Sequence, residues 1–155
     1  MHRLQKDAYS RDVKSALAIA AGIFFTDQLT KYFLFQDLFF GPIWFSRIVR
    51  FTNHFNTGVV FDLPVPRWFI LSISTIILLL LCWTFIVMVK NKDHIRTMVL
   101  AIIIGGAIGN YSDRLFFGFV RDWILIADRS VFNLSDFAIL FGVIQLFFLK
   151  NFSAK

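Results

Sequence analysis

The feature that most constrains the fold is a predominantly apolar run at residues 68–89, which contains no charged side chain. As an α-helix that rises about 1.5 Å per residue, this run extends roughly 33 Å. That length is enough to cross the hydrocarbon core of a bilayer. The whole chain is similarly apolar, with 57% hydrophobic residues, 21 Phe and a mean hydropathy of +0.68. We therefore expect an integral membrane protein.

The chain divides into four apolar spans and two connecting segments that mix polar and aromatic residues. The predicted spans are residues 15–35, 68–89, 97–117 and 133–149, and the connecting segments are residues 36–66 and 118–132. No internal repeat is visible and 155 residues suit one domain, so we expect a single membrane domain over residues 1–155. The fold class that follows is an all-α membrane protein with four transmembrane helices.

The distribution of Lys and Arg predicts how these spans are oriented. The polar leader (1–14), the 90–96 loop and the tail hold nine Lys and Arg, whereas the two connecting segments with their margins hold five. By the positive-inside rule, both termini then lie in the cytoplasm. This orientation brings polar residues from four separate segments to the outer edge of the membrane: Asp27, Lys31, Asn110, Asp113, Arg114, Asp122 and Asp136.

The residue inventory excludes several functions for these polar groups. The net charge of +6 comes from basic residues beside the spans, so we expect no nucleic-acid partner. All ten acidic residues are Asp, which rules out a His-Glu-x-x-His zinc site, and the three His are scattered, which argues against Ser–His catalysis. Nucleotide-binding fingerprints are absent, and the single cysteine, Cys82, is expected to pack within span two. We expect neither a metal nor a cofactor.

Some of the polar residues have simple structural explanations. Asp27 and Lys31 are spaced i, i+4 and could neutralise each other on one helix face. Asp113 with Arg114 could form an anchor at the interface, with Arg114 extended toward lipid headgroups. These explanations favour structural support over chemistry, although such a pair can still brace a site.

The first residues of span four and the strand-like stretch before it can also be interpreted in more than one way. Asn133 could cap the helix while Asp136 lies in its positively polarised first turn. Residues 120–124 alternate apolar and charged side chains as a strand does, which could expose Asp122 to water. In the outer segment, residues 50–61 predict a short hairpin or bent strand, where Asn56 and Gly58 could serve a substrate or only a tight turn.

After these exclusions, a pair of carboxylates is the remaining candidate for hydrolytic chemistry. Two Asp side chains held close together cannot both ionise, so one stays protonated while the other acts as a base that activates water. Such a pair can cleave an amide bond without a metal or cofactor.

Motifs in four parts of the chain resemble the lipoprotein signal peptidase family, also called signal peptidase II. They are D-Q-L-T-K at 27–31, N-T-G-V-V-F at 56–61, G-A-I-G-N-Y-S-D-R at 106–114 continuing as G-F-V-R-D-W at 118–123, and F-N-L-S-D at 132–136. Their order matches that of the family, and the resemblance covers nearly the whole chain.

The resemblance implies roles for ten residues of these motifs. Asp122 and Asp136 would be the catalytic pair. The residues expected to line the site and orient the substrate are Asn56, Gly58, Asn110, Arg114 and Asn133. Asp27, Lys31 and Asp113 would hold the helices and the site in register.

The resemblance also implies a substrate, a location and further structure. The substrate would be a prolipoprotein whose lipobox cysteine carries diacylglycerol, cleaved on the amino side of that cysteine. The enzyme would lie in the bacterial cytoplasmic membrane, surrounded by lipid, with its site at the periplasmic face. Separately from the resemblance, we expect a monomer. The four helices would be joined by a small periplasmic β-cradle and a short helix, which suits the 36–66 segment.

The chain departs from the family pattern at three positions. Ser135 replaces an alanine beside the second catalytic Asp, and its hydroxyl could donate to a carboxylate. Val60 replaces a small residue and could narrow the substrate groove. Trp123 replaces a phenylalanine, and the interval between Asp122 and Asp136 is short, which predicts a trimmed segment over the site.

Two rival classes of protein are also compatible with intramembrane charges. A small proton-coupled membrane transporter would use intramembrane Asp and Lys, but near the midplane of broken or repeated helices. A non-catalytic membrane chaperone would tolerate the loss of either Asp.

Overall fold

The computed structural model describes residues 2–35, 48–58 and 65–152, which form four helices and a small sheet. In chain order the elements are α1 (His2–Phe35), β1 (Val49–Asn56), α2 (Arg67–Lys90), α3 (His94–Phe116), β2 (Val120–Ile126), β3 (Ser130–Phe132) and α4 (Leu134–Phe152). The short periplasmic helix expected from the family and most of the 36–66 segment fall outside the described residues.

The helices agree with the predicted spans, apart from the start of the first one. α1 begins at His2, so the leader, predicted as a separate polar segment, is helical and continuous with span one. The reason is local, because no Gly or Pro occurs before Gly22 to interrupt the helix. The other three helices begin and end within a few residues of the predicted boundaries.

Two of the described helices are long and apolar enough to cross a membrane. They are α2, with a mean hydropathy of 2.6 in its most apolar window, and α3, with 1.3. A shorter apolar stretch, Leu134–Leu149, lies in α4. α1 is long enough, but Asp27, Gln28 and Lys31 lower its apolar character. Four membrane spans therefore stay a prediction.

α3 is the central helix and packs against each of the other three. Glycines allow this close packing. A Cβ atom at Gly105 would lie 2.6 Å from the carbonyl oxygen of Ala20 in α1, and one at Gly106 would lie 2.7 Å from that of Ser135 in α4. Small residues of this kind let helix backbones approach closely within a membrane. The close packing brings the polar outer end of α3 against both α1 and α4.

α2 contacts α3 and otherwise presents large apolar side chains to the surroundings. Ile70 is its one buried residue, whereas Leu79 and Trp83 are 65% and 68% exposed. Cys82, predicted to be a packing residue, is also exposed on this helix. Such an apolar surface is suited to lipid rather than water.

The strands form one antiparallel sheet in the order β1-β2-β3. β1 runs along β2, with Asn56 opposite Val120 and His54 opposite Asp122, and its register shifts between Phe51 and His54. The bent strand predicted in the 50–61 segment is thus confirmed. Its partner is β2, so it is no hairpin over the described part of that segment. The fold is mostly helical with a small sheet beside the polar end of α3.

Candidate active site

Buried polar side chains cluster where α1, α3 and α4 meet the sheet. Each is at most 8% exposed, and the set comprises Asp27, Lys31, Asn110, Asp113, Asp122, Asn133 and Ser135. The polar groups predicted to share one level therefore do lie together. Arg121 lies in the same cluster at 9% exposure.

Asp122 lies on β2 with a hydrogen bond to each oxygen of its carboxylate. Asn56 Nδ2 donates to Oδ2 at 3.0 Å, and Asn133 Nδ2 donates to Oδ1 at 2.6 Å. The strand predicted for this stretch is confirmed, but the exposure that it could have given Asp122 is wrong, since the residue is 1% exposed. The strand faces the helices here, so its carboxylate is turned into the protein.

Asp136 lies in the first turn of α4 and is also held through both oxygens. Asn110 Nδ2 donates to Oδ1 at 2.7 Å, and the backbone N–H of Asn133 donates to Oδ2 at 3.0 Å. In return, Asn133 Oδ1 accepts the backbone N–H of Asp136 at 3.0 Å. Asn133 therefore caps α4 as predicted, in a reciprocal arrangement equivalent to a capping box.

Asn133 connects the two aspartates. Its side-chain nitrogen donates to Asp122 and also to Asn110 Oδ1 at 3.0 Å, while its backbone and side-chain oxygen bond to Asp136. One residue thus fixes a carboxylate from the sheet relative to a carboxylate from a helix.

Burial raises the pKa of Asp122 to about 6, because a charged carboxylate loses hydration there. The hydrogen bond from Asn56 opposes this rise in pKa, and the nearby charge of Asp136 adds to it. Hydrogen bonding from Asn133 and the positive charge of Lys31 lower the pKa again, by less. A carboxyl group in this range can hold or release a proton near neutral pH, as acid–base catalysis requires.

Behind the aspartates lies a buried charge quartet, formed by Asp27, Lys31, Asp113 and Arg121. Lys31 Nζ lies 2.8 Å from Asp27 Oδ2 and 3.2 Å from Asp113 Oδ2, which confirms the predicted i, i+4 pair and adds a second acid. Arg121 Nη2 lies 2.7 Å from Asp113 Oδ1, and the Arg121 backbone N–H donates to Asp113 Oδ2 at 3.0 Å. Asp27 Oδ1 accepts the backbone N–H of Ser135 at 2.9 Å. The quartet therefore ties α1, α3, β2 and α4 together.

Two members of this region, Arg121 and Gln28, are not predicted by the sequence patterns. Gln28 accepts a hydrogen bond from Arg121 Nη2 at 2.8 Å and donates to Asp113 Oδ1 at 3.3 Å. Charge balance could have revealed Arg121, because two buried acids, Asp27 and Asp113, require a second cation besides Lys31.

The remaining predicted residues lie where β1 ends. Asn56 Oδ1 accepts the backbone N–H of Gly58 at 3.2 Å, which makes a tight turn and leaves the Asn56 amide nitrogen directed at Asp122. Arg114 donates to the carbonyl oxygens of Asn110 at 3.4 Å and Gly58 at 3.5 Å. Arg114 thus contacts the site and the turn after β1, instead of serving only as a headgroup anchor. The Asn56 side chain therefore stabilises the turn through its oxygen and binds Asp122 through its nitrogen.

Two of the three family departures lie in the described part of the chain. Ser135 Oγ is buried without a hydrogen-bond partner among the described residues, so the expected donation to a carboxylate is wrong. Trp123 packs with its ring centroid 5.5 Å from that of Phe51, and its buried Nε1 likewise has no partner in that part of the chain. Val60 lies outside the described residues.

Two aspartates held by amide donors at the polar end of an apolar helical bundle are the arrangement expected of a membrane aspartic peptidase. A family model described as signal peptidase (SPase) II matches residues 19–152. The chain therefore belongs to the signal peptidase II family.

Curated relatives and solved structures agree with this membership. The chain is 36% identical to a lipoprotein signal peptidase of Aquifex aeolicus over 90% of its own length and 86% of the relative's. It is 34% identical to that of Nitrobacter hamburgensis, covering 92% and 97% of the two chains. A solved bacterial membrane enzyme superposes with a TM-score of 0.79 at 27% identity, covering 92% of both chains. None of these matches supports a transporter.

Proposed function

We propose that this protein is the peptidase that removes signal peptides from diacylglyceryl-modified prolipoproteins, cutting on the amino side of the lipobox cysteine. The observation that carries this proposal is the Asp122–Asn133–Asp136 arrangement. Two carboxylates from different elements, Asp122 buried and Asp136 partly buried, share one asparagine and receive four N–H donors in total. Family membership supplies the substrate class.

In the proposed mechanism, Asp122 and Asp136 share a single proton across the scissile peptide bond. The ionised carboxylate removes a proton from water, which attacks the carbonyl carbon, while the protonated carboxyl donates its proton to the carbonyl oxygen. The proton taken from water then passes to the leaving nitrogen as the C–N bond breaks. The other carboxylate takes a proton back from the diol hydroxyl, which restores the shared proton of the pair. The raised pKa of Asp122 supports this division, because a buried acid beside a second acid keeps its proton at a higher pH.

The other site residues position the substrate in this proposal. Asn56, Asn110 and Asn133 hold the carboxylates, while Arg114 and the turn at Gly58 border the space in front of Asp122. Gly58 lets a substrate backbone approach, because it has no side chain. Asp27, Lys31 and Asp113 support the helices behind the site.

The proposed topology has four spans, both termini in the cytoplasm and the aspartates at the periplasmic face of the bacterial cytoplasmic membrane. A diacylated cysteine stays in the bilayer because acyl burial contributes about 0.8 kcal/mol per CH₂. The catalytic groups must then lie at the lipid–water boundary, which is consistent with a polar cluster at one end of apolar helices. The lipid anchor would hold the peptide bond near the aspartates, so that remote binding energy assists the chemistry. We expect a monomer with membrane lipids around it.

The test is cleavage of a diacylated preprotein by the purified protein, with a non-acylated preprotein as the substrate control. We expect Asp122→Asn and Asp136→Asn each to abolish cleavage while the protein still accumulates in the membrane. Asp128→Asn, on the β2–β3 turn at 64% side-chain exposure, is a matched control that should cleave normally. Retained cleavage in either site variant would exclude the aspartic mechanism. Proton-driven uptake into proteoliposomes that depends on Asp27 would support the transporter instead.

A further inference from the structure

The buried charge quartet and the candidate catalytic pair are joined through one carboxamide. Lys31 Nζ donates to Asn110 Oδ1 at 3.0 Å, and Asn110 Nδ2 donates to Asp136 Oδ1 at 2.7 Å. Lys31 is fully buried, with no exposed surface on its side chain. A lysine that served only to neutralise Asp27 would need no contact with Asn110.

The contacts of Lys31 use its full hydrogen-bonding capacity. An ammonium group has three N–H donors. Among the described residues, its three neighbours within bonding distance are Asp27 at 2.8 Å, Asn110 at 3.0 Å and Asp113 at 3.2 Å. Two of these are acids within the quartet, and the third is the carboxamide that reaches Asp136. The position of the ammonium is therefore fixed from three directions.

This contact determines which way the Asn110 carboxamide faces. Its oxygen accepts from Lys31 and from Asn133 Nδ2, each at 3.0 Å, and its nitrogen faces Asp136. The reversed amide would direct N–H groups at an ammonium and at another amide donor, and an oxygen at a carboxylate. All three reversed contacts are repulsive. By fixing this orientation, Lys31 ensures that Asp136 receives a hydrogen bond from the Asn110 side-chain N–H.

We propose that Lys31 is a positioning residue for signal-peptide cleavage, which holds the Asn110 N–H toward Asp136 and favours the ionised form of one aspartate in the pair. This inference rests on the proposed function. Its charge acts among other titratable groups that surround the pair from each element. These are Asp27 on α1, Asp113 and Arg114 on α3, and His54 and Arg121 on the sheet.

The quartet offers a charge-balanced way to remove this cation. It contains two cations and two anions, so Asp27→Asn combined with Lys31→Met leaves the Arg121–Asp113 pair neutral. The carboxamide introduced at position 27 can still accept the backbone N–H of Ser135 through its oxygen. A second variant, Asp27→Asn with Lys31→Gln, restores an N–H donor to Asn110 without restoring the charge. Arg96→Met, which removes an ion pair with Asp93 beside the N-terminus of α3, is the control for losing an ion pair elsewhere.

The experiment measures kcat and KM for a diacylated preprotein from about pH 5 to pH 9, normalised to folded protein. In the Asp27→Asn/Lys31→Met variant we expect kcat to fall by roughly 10- to 100-fold, as displaced catalytic groups do, with little change in KM. Both limbs of the pH profile should move to higher pH, because the positive charge of Lys31 lowers the pKa of Asp122, and we expect its loss to outweigh the simultaneous loss of the Asp27 charge. The Lys31→Gln version should recover part of kcat while the limbs stay displaced. Arg96→Met should show the wild-type profile.

Unchanged kcat and pH limbs in the Lys31→Met variant would overturn the inference. If that variant does not accumulate in the membrane, the test uses Asp27→Asn/Lys31→Gln instead. A wild-type pH profile in this second variant would also overturn the inference. Failure of the proposed function would give a different result. The wild-type protein would leave the diacylated preprotein uncut, or Asp122→Asn would still cut it.

Discussion

Asn133 and Asp136 bond each other twice, since each backbone N–H donates to the other's side-chain oxygen at 3.0 Å. The contact that begins α4 is thus also a contact of the candidate catalytic pair. Helix capping and site geometry depend here on the same atoms, and substitutions can separate the two effects.

Asn133→Ala should lower both stability and activity, whereas Asn133→Ser should restore only stability. Alanine removes the cap, at a cost of about 1 kcal/mol, and leaves Asp122 Oδ1 without its donor. Serine can still accept the Asp136 N–H as a cap, but it has no amide to reach Asp122. Thermal unfolding in detergent and kcat for the diacylated preprotein distinguish the two variants. Wild-type kcat in Asn133→Ser would show that the amide donor to Asp122 is dispensable.

The pKa of Asp122 predicts a pH dependence of stability. Because this pKa is about 6 in the folded protein against an ordinary value of 3.8, the folded protein holds the proton over a range in which the unfolded chain has lost it. The stability from this group is fully present below about pH 4 and is lost as pH rises through about 6, by about 3 kcal/mol at most. The difference in Tm between wild type and Asp122→Asn should therefore change between about pH 4.5 and pH 7, to the disadvantage of the wild type. A Tm difference between the two proteins that stays constant over this pH range would contradict this prediction.

Ser135→Ala should stabilise the protein. The hydroxyl is fully buried and has no hydrogen-bond partner within the described ranges, and an unpaired polar group costs roughly 1–3 kcal/mol when buried. Alanine removes that cost and keeps the backbone N–H that donates to Asp27. We expect a higher Tm in detergent with cleavage retained. A lower Tm would mean that the hydroxyl has a partner.

Gly109→Ala should be strongly destabilising. The added Cβ would lie 2.2 Å from Ser135 Oγ and 2.7 Å from Asp27 Oδ2, so the Ser135 hydroxyl would have to rotate and the buried, ion-paired Asp27 carboxylate would have to move. Overpacking of this kind typically costs about 1–3 kcal/mol. Gly22→Ala is the matched control, since nothing lies within 4 Å of its Cβ position, and there the helix should gain stability. Membrane accumulation and Tm measure both. Equal accumulation and Tm in the two variants would show that the site tolerates the displacement.

The parts of the site that depend on local pattern could be predicted from the sequence. The alternation around Asp122 indicated a strand, the i, i+4 spacing indicated the Asp27–Lys31 pair, and Asn133 was a recognisable cap. Each of these features depends on residue spacing or on a helix end, and both are determined by residues close together in the sequence.

The wrong predictions about the site concern contacts between distant parts of the chain. Asp122 is buried because α4 and β1 cover it, and Ser135 Oγ faces Gly109 across a helix interface instead of a carboxylate. Arg121 looks like an outer-loop charge in the sequence, yet it pairs with an acid in α3. Local periodicity carries no information on such pairings, so these contacts become visible only in the packed fold.

Asp113 receives Lys31 and Arg121 on its two oxygens, and Arg121 is the residue next to Asp122 in β2. Moving β2 outward would separate the buried Arg121–Asp113 pair and leave its charges uncompensated. We therefore expect β2, which carries Asp122, to stay fixed while substrate enters. Any widening of the site would then occur after β1, where Gly58 contacts Arg114 close to Asn56. A bulky lipidated peptide would then enter from the β1 side and be cleaved beside β2, which does not move.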